Sequence, residues 1–202
     1  HLPNEKVGEA LEVEGARVVT QTLARYTMMM VNVASPLFDQ VETRQALEFA
    51  IDRQAVAAAQ GDGSVPAHSP LLPYSWAYDG GIPVRPHDPA QAARLLDAAG
   101  WVRAEGGVRA RDGVTLTVVL AANNEMAPSV AAAERIAADL RAVGVDVQLA
   151  LVPRETLLRD YLGPRAYHLA IVGWEARGAE PDLYPYWHSS QNVSGGLNFS
   201  GW

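Results

Sequence analysis

An α/β fold is what this 202-residue sequence predicts, and three observations carry the prediction. From residue 114 onward the order reads strand, helix, strand, helix, strand, the alternation that builds βαβ units with right-handed crossovers. The helical stretches have an apolar stripe at a spacing of three and four, as in Val41, Ala46, Leu47, Ala50 and Ile51. The third observation is size: 49% hydrophobic residues in a chain of this length is enough for a substantial core.

The elements follow in order. RVVTQ (17–21) and YTMMMVNV (26–33) have strand character, and the second is apolar on both faces, which suits a central strand. SPLFD (35–39) is a turn, and the helix over 41–51 follows it. Asp52 is placed to cap a second helix, RQAVAAA, by accepting from its first free N–H groups. Residues 60–87 have five prolines and no period, so they read as a long loop. Leu71, Leu72, Tyr74, Trp76 and Tyr78 call for burial, and Trp76 and Tyr78 are expected to pin that loop to the body.

HDPAQAARLLDAAGW is a helix with Asp88 as cap, Pro89 at the first position and Gly100 as stop. Residues 106–120 read as one hairpin turning at Arg111-Asp112-Gly113. A helix over 129–142, a strand over 145–152, a short helix over 153–162 and a strand over 168–174 complete the pattern, and an aromatic, loop-like tail ends it. Leu95, Leu96, Ile136 and Leu140 are core positions on the helix faces. No internal repeat and no boundary divides the chain, so residues 1–202 read as one domain.

Composition removes several functions. The net charge of −7 argues against a nucleic-acid partner and offers no basic patch to a membrane. Fifteen of the 16 basic residues are Arg, with Lys6 the exception. Zero cysteines exclude disulfides, thiol catalysis and cysteine-ligated metals. No apolar run reaches the roughly 20 residues of a membrane span. The sequence has no G-x-S-x-G, P-loop, G-x-G-x-x-G after a strand or H-E-x-x-H. His1, His68, His87, His168 and His188 are scattered without metal-ligand spacing. No enzyme, no metal and no cofactor is expected.

One stretch asks for an explanation. HLAIVGWEARGAEPDLY (168–184) runs from a core strand straight into a large aromatic and three charges, Glu175, Arg177 and Glu180. Ligands of α/β sheets sit beyond the carboxyl ends of strands, which makes Trp174 a candidate cleft wall and Glu175 and Arg177 its candidate charges. Asn123 and Asn124, between a strand end and a helix start, are candidate polar contacts. Tyr186 and Trp187, with Tyr184, form an aromatic run that suits stacking. Asn198 is expected to satisfy backbone groups.

Several segments together resemble the extracellular solute-binding proteins of the dipeptide, oligopeptide and nickel class, family 5. SPLFDQVETRQALEFAIDRQAV is similar to that family's turn and helix ending in Ala-Ile-Asp-Arg. VPAHSPLLPYSWAYD looks like its proline-rich loop, and HDPAQAARLLDAAGW like its Asp-Pro helix ending in Gly-Trp. VAAAERIAADLRAVGVDVQL is similar to its helix and following strand, and the Gly173-Trp174 strand end and NVSGGLNFSGW match its last motifs. Glu42 stands where the family usually has Arg, and Arg177 stands where peptide-binding members have an Asp that receives the ligand's amine. An Arg suits a carboxylate or phosphate instead.

The resemblance implies a lobe of the type II periplasmic-binding class, a mixed sheet flanked by helices, forming most of the carboxyl-terminal half of a two-lobed receptor. It implies capture of a peptide or related small solute for an ABC importer, with the permease as partner, as a monomer in the periplasm or anchored outside the membrane. The alternatives are a sensor lobe of a transcriptional regulator and a receptor for an oligosaccharide or a metal chelate.

Overall fold

The computed structural model describes residues 25–61, 63–175 and 182–202, with positions 9, 11–13, 15 and 17 before them. The strand expected at 17–21 therefore lies almost wholly outside the described residues. Among the described residues the main sheet has four strands: β1 (Arg25–Val31), β5 (Thr117–Asn123), β6 (Asp146–Val152) and β7 (Leu169–Glu175), in the order β1-β7-β5-β6. β5 runs parallel to β6 and β7, and β1 is antiparallel to β7, so the sheet is mixed.

Side-chain alternation divides the apolar residues between two layers. Val118, Leu120, Ala122, Leu169 and Ile171 face the helices α1 (Val41–Ala50), α3 (Pro89–Ala98) and α4 (Ala127–Ala142). Met30, Ala121 and Ala170 face the other way, onto Leu157, Leu162, Tyr167 and Phe199. Leu96, Ile136 and Leu140 are buried in the helix-side core, and Leu95 packs against it half-buried.

β1 is an edge strand of the described sheet and not a central one. Being apolar on both faces reports a layer above and a layer below; it says nothing about neighbours to the side. Met29 and Val31 pack toward the helices, while Met28 and Met30 pack toward the tail.

The caps form as their chemistry requires. Asp52 Oδ1 accepts from Gln54 and Ala55 N–H, both at 3.1 Å, at the start of α2 (Arg53–Gln60). These bonds, the Ala55 one foremost, hold its carboxyl below the usual range. Asp88 accepts from Gln91 N–H at 2.8 Å. Asp139, buried in α4, pairs with Arg135 and accepts from Asp52 N–H at 3.1 Å, tying α2 to α4.

The single hairpin expected over 106–120 is two structures. β3 (Arg109–Arg111) and β4 (Val114–Thr115) turn at Asp112-Gly113, both at positive φ, and with β2 (Val102–Arg103) they form a small separate sheet. Leu116 breaks the run and β5 then enters the main sheet, because Val118 and Leu120 are needed in the core. The buried Arg109 guanidinium bonds Val143 and Trp101 carbonyls and pairs with Asp97, holding the small sheet to the body.

The short helix expected over 153–162 forms as α5 (Arg154–Thr156) and continues as a π-helical turn over Leu157–Leu162. The 60–87 loop differs from expectation. Tyr74 and Trp76 are 58% and 79% exposed, so Trp76 does not pin the 60–87 loop. That loop is instead tied at its carboxyl end by Arg85 with Glu48, His87 with Asp52, and Asp88 N–H to the Phe49 carbonyl, while Leu71, Leu72 and Tyr78 are half-buried.

Candidate functional site

The carboxyl ends of β5, β6 and β7 and the start of β1 meet at one edge of the sheet: Asn123 is level with Val152, and Glu175 faces Arg25. Gly173 and Thr27, paired across β7 and β1, are both exposed, so the sheet projects past the helical layer here. Edges of this kind are where open α/β sheets take ligands.

Trp174 is half-buried on the tail side of β7. Its ring meets that of Tyr186 edge-on, with centroids 3.6 Å apart at 75°. Tyr186 and Trp187 lie on α6 (Tyr184–Trp187), a short helix opened by Asp182 Oδ1 accepting from Tyr184 N–H at 3.1 Å, with Pro185 in its first turn. Together Trp174, Tyr186 and Trp187 line a small apolar pocket with Met28, Val172 and Phe199. The fold thus brings Trp174 together with Tyr186 and Trp187.

The tail that carries two of these rings is held from beneath by Asn198, which is fully buried. Its Nδ2 donates to the His188 carbonyl at 3.2 Å, and its Oδ1 accepts from Ser200 N–H and Oγ–H at 3.1 and 2.6 Å. Asn198 does satisfy backbone groups, as expected. Beside it, Tyr184 stacks on His188 at 4.5 Å, and both bond Ser190 Oγ.

Asn123 shares the sheet face of Trp174 but stands on β5, outside the aromatic pocket. It is buried, and its Oδ1 accepts from Glu125 N–H at 2.9 Å. Asn124 donates through its backbone to Val152 O at 3.0 Å and through Nδ2 to Leu151 O at 3.4 Å. Both side chains serve the β5–α4 turn, and Glu125 carries the turn onward by accepting from Arg154 N–H at 3.1 Å. Glu175 is exposed at the end of β7. Arg177 and Glu180 lie outside the described residues.

The edge also has a residue that the sequence reading passed over. Tyr26 is the cross-strand partner of Trp174, on the same face, and its hydroxyl is buried without an acceptor or donor among the described residues. Burial pushes that hydroxyl up to about 12, so it is a neutral donor at any physiological pH. Met28 and Met30 were equally silent, although period two from Tyr26 places them on its face. Among the described residues no three His, Asp or Glu side chains are placed to hold a metal ion, and no helix is long and apolar enough to cross a membrane.

Comparison with known proteins fits this geometry. Residues 2–196 match the family model for bacterial extracellular solute-binding proteins, family 5, middle region. The oligopeptide-binding protein AppA of Bacillus subtilis is 28% identical over 98% of this chain and 37% of its own length. A probable di/tripeptide-binding protein of Pseudomonas aeruginosa is 33% identical over 94% of this chain and 36% of its own. The structure of AppA with a nonapeptide superposes with a TM-score of 0.82 at 27% identity, over 100% of this chain and 40% of that one. NikZ from Campylobacter jejuni, in complex with Ni(L-His), shares the fold with a TM-score of 0.83 at 22% identity over 98% of this chain and 40% of that one. The chain thus spans under two-fifths of the curated relatives named above. It belongs to the bacterial extracellular solute-binding proteins of family 5.

Proposed function

We propose that this chain is one ligand-binding lobe, the carboxyl-terminal one, of a receptor that delivers a peptide or a related small solute to an ABC permease. The observation that carries the reading is the aromatic group of Trp174, Tyr186 and Trp187 at the carboxyl edge of the parallel strands. Rigid rings at a sheet edge supply large contact area with little lost side-chain entropy, and they accept varied side chains. AppA and the Pseudomonas relative bind oligopeptides and di- or tripeptides by their names, which supports peptide over sugar here.

In this reading the role is capture and not catalysis. The solute bridges two lobes, and its contacts with both shift the hinge equilibrium toward the closed form. Trp174 is the wall, Tyr26 and Asn123 supply neutral polar contacts beside it, and Glu175 supplies charge at the end of β7; Arg177, outside the described residues, is proposed from the sequence as a second charged contact. A receptor binding at about micromolar has roughly 8 kcal/mol of affinity; a lobe keeping half of that binds near millimolar or more weakly. This chain alone is therefore expected to bind peptides only weakly, and a sub-micromolar calorimetric titration would contradict the shared-site picture.

The deciding test uses the complete gene product, purified without refolding. Small molecules released from it are identified by mass spectrometry, and Trp174→Ala is compared with wild type. Co-purified peptides that are lost from the variant are the expected result. A sugar or metal chelate as cargo, or peptides retained equally by the variant, would overturn the reading.

A further inference from the structure

A second pocket lies at the opposite edge of the sheet, where β1 ends and β5 and β7 begin. It measures about 310 Å³, and Asn32, Ser35, Arg165, Tyr167 and His168 contribute to its wall. Among the described residues no Asp or Glu lines it.

Its donors are left over once the chain's own bonds are assigned. Arg165 forms no ion pair among the described residues, a state it shares with Arg44, Arg94, Arg103, Arg141 and Arg154. Its Nη2 donates to the Asn198 and Val193 carbonyls at 2.8 and 3.4 Å, but its Nε–H is buried and meets no acceptor among the described residues. A buried donor without a partner is rare and calls for an explanation. His168 Nδ1 accepts from Val119 N–H at 3.0 Å, which assigns the ring proton of the neutral imidazole to Nε2. Ser35 Oγ accepts weakly from Leu37 N–H at 3.4 Å, so its hydroxyl proton remains to be given.

Other polar groups of the wall are engaged by the chain itself. Asn32 Oδ1 accepts from Ala34 N–H at 3.2 Å, and the Tyr167 hydroxyl donates its proton to the Phe199 carbonyl. Asn32 Nδ2 clamps the carbonyls of Arg165 and Tyr167, both at 3.0 Å. That clamp holds Arg165 at a φ of 58°, a left-handed backbone that a long side chain adopts only when its surroundings enforce it.

We propose that this pocket binds a small oxyanion, of the phosphate, sulfate or carboxylate type, through the Arg165 guanidinium, His168 Nε2–H and the Ser35 hydroxyl. A cation is disfavoured by Arg165, and a neutral solute has no use for an uncompensated charge. The site is on the sheet edge opposite Trp174, so it is separate from solute capture and does not depend on that reading.

The test is a side-chain NMR titration of this chain with phosphate, sulfate and acetate, each against chloride at equal ionic strength. Saturable shifts of Arg165 Nε–H and the His168 ring, with the Trp174 indole unmoved, are the expected result; the oxyanion that saturates first names the preferred chemistry. Equal shifts with chloride, linear shifts, or no shifts overturn the proposal. Arg165→Gln is expected to weaken binding by about tenfold or more, since it removes a charge-assisted bond. Arg165 also ties the tail, so His168→Gln, which retains an acceptor for Val119 N–H, is run beside it and is expected to weaken binding several-fold. If the variants keep the wild-type thermal midpoint and the wild-type affinity, the proposal fails. If Arg165→Gln unfolds, the wild-type titration and His168→Gln decide.

Discussion

The two faces of the central sheet are built from different materials. On the helix side, Leu120, Leu140, Leu169, Val118 and Trp101 are buried to within a few per cent of completely, under three helices. On the tail side, two methionines and three aromatics share the layer with Leu, Val and Ala, and Met28, Val172, Tyr161 and Phe199 are only partly buried, under a segment with two short helical turns. The first face has one way to pack; the second is soft, polarizable and lightly covered. Under the proposed function the difference divides the tasks: stability on the helix side, recognition on the tail side.

The comparison breaks most readily at Trp101. Its ring is 1% exposed, its Nε1–H donates to buried Thr43 Oγ1 at 3.2 Å, and the Arg111 guanidinium lies 4.4 Å above it. Trp101→Ala is expected to destabilise the chain by about 3–5 kcal/mol, through lost packing and a stranded Thr43 hydroxyl. Urea unfolding followed by circular dichroism measures it. A loss of under 1 kcal/mol would place the stabilising core elsewhere.

Asn198 is the corresponding anchor on the tail side. Asn198→Ala leaves the His188 carbonyl and Ser200 N–H without their buried partner, for an expected cost of about 1–3 kcal/mol. The effect should be local. Amide exchange is expected to rise over 184–202 and to stay unchanged in α4. Equal loosening of both faces would show that the two layers unfold as one unit.

How much of this was legible in the sequence depends on the range of the interaction. The caps at Asp52 and Asp88 bond N–H groups two and three residues away, and their local pattern sufficed to place α2 and α3. The edge position of β1 was not legible, because its pairing with β7 joins residues about 150 positions apart and leaves no local trace. The break at Leu116 was hidden for a similar reason: a run of β-formers shows strand propensity, while the choice between two sheets is made by the core. In the candidate site, Gly173-Trp174 and the aromatic tail were visible as residues, and the edge-on contact of Trp174 with Tyr186 fits that reading. Tyr26, Met28 and Met30 were missed as site neighbours, since only the register of β1 against β7 brings them to Trp174. Tyr74 and Trp76 misled because an aromatic's preference for burial does not guarantee that a surface is there to receive it.

Trp174→Ala sharpens the contrast with Trp101. Half-buried, with one edge-on aromatic contact, Trp174 is expected to contribute only about 1 kcal/mol to stability. Thermal melts of the two variants should therefore separate clearly, while solute capture by the complete protein is lost in Trp174→Ala. A Trp174 variant as unstable as the Trp101 variant would make the ring a core residue and remove it from the site.

The smallest expected effect lies at the far edge of the sheet. Burial holds the half-buried His168 imidazole below its ordinary value of 6.5. The folded chain then binds fewer protons than the unfolded chain near that value, so stability rises with pH there. The contribution is fully present above about pH 6.5 and is lost as the pH falls through the lowered folded value. Asp52 has the same sign at lower pH: its carboxyl is held below 3.8, chiefly by its bond from Ala55 N–H, and its contribution disappears only under stronger acid. Denaturant midpoints for wild type and His168→Gln between pH 5 and 8 separate the two. The wild-type slope near pH 6 should flatten in the variant, while the acid limb set by carboxylates such as Asp52 remains. An unchanged slope would mean that the imidazole is free to charge in place. The Nδ1 bond to Val119 would then not hold its tautomer, and the far edge of the sheet would be as yielding as the tail face around Trp174.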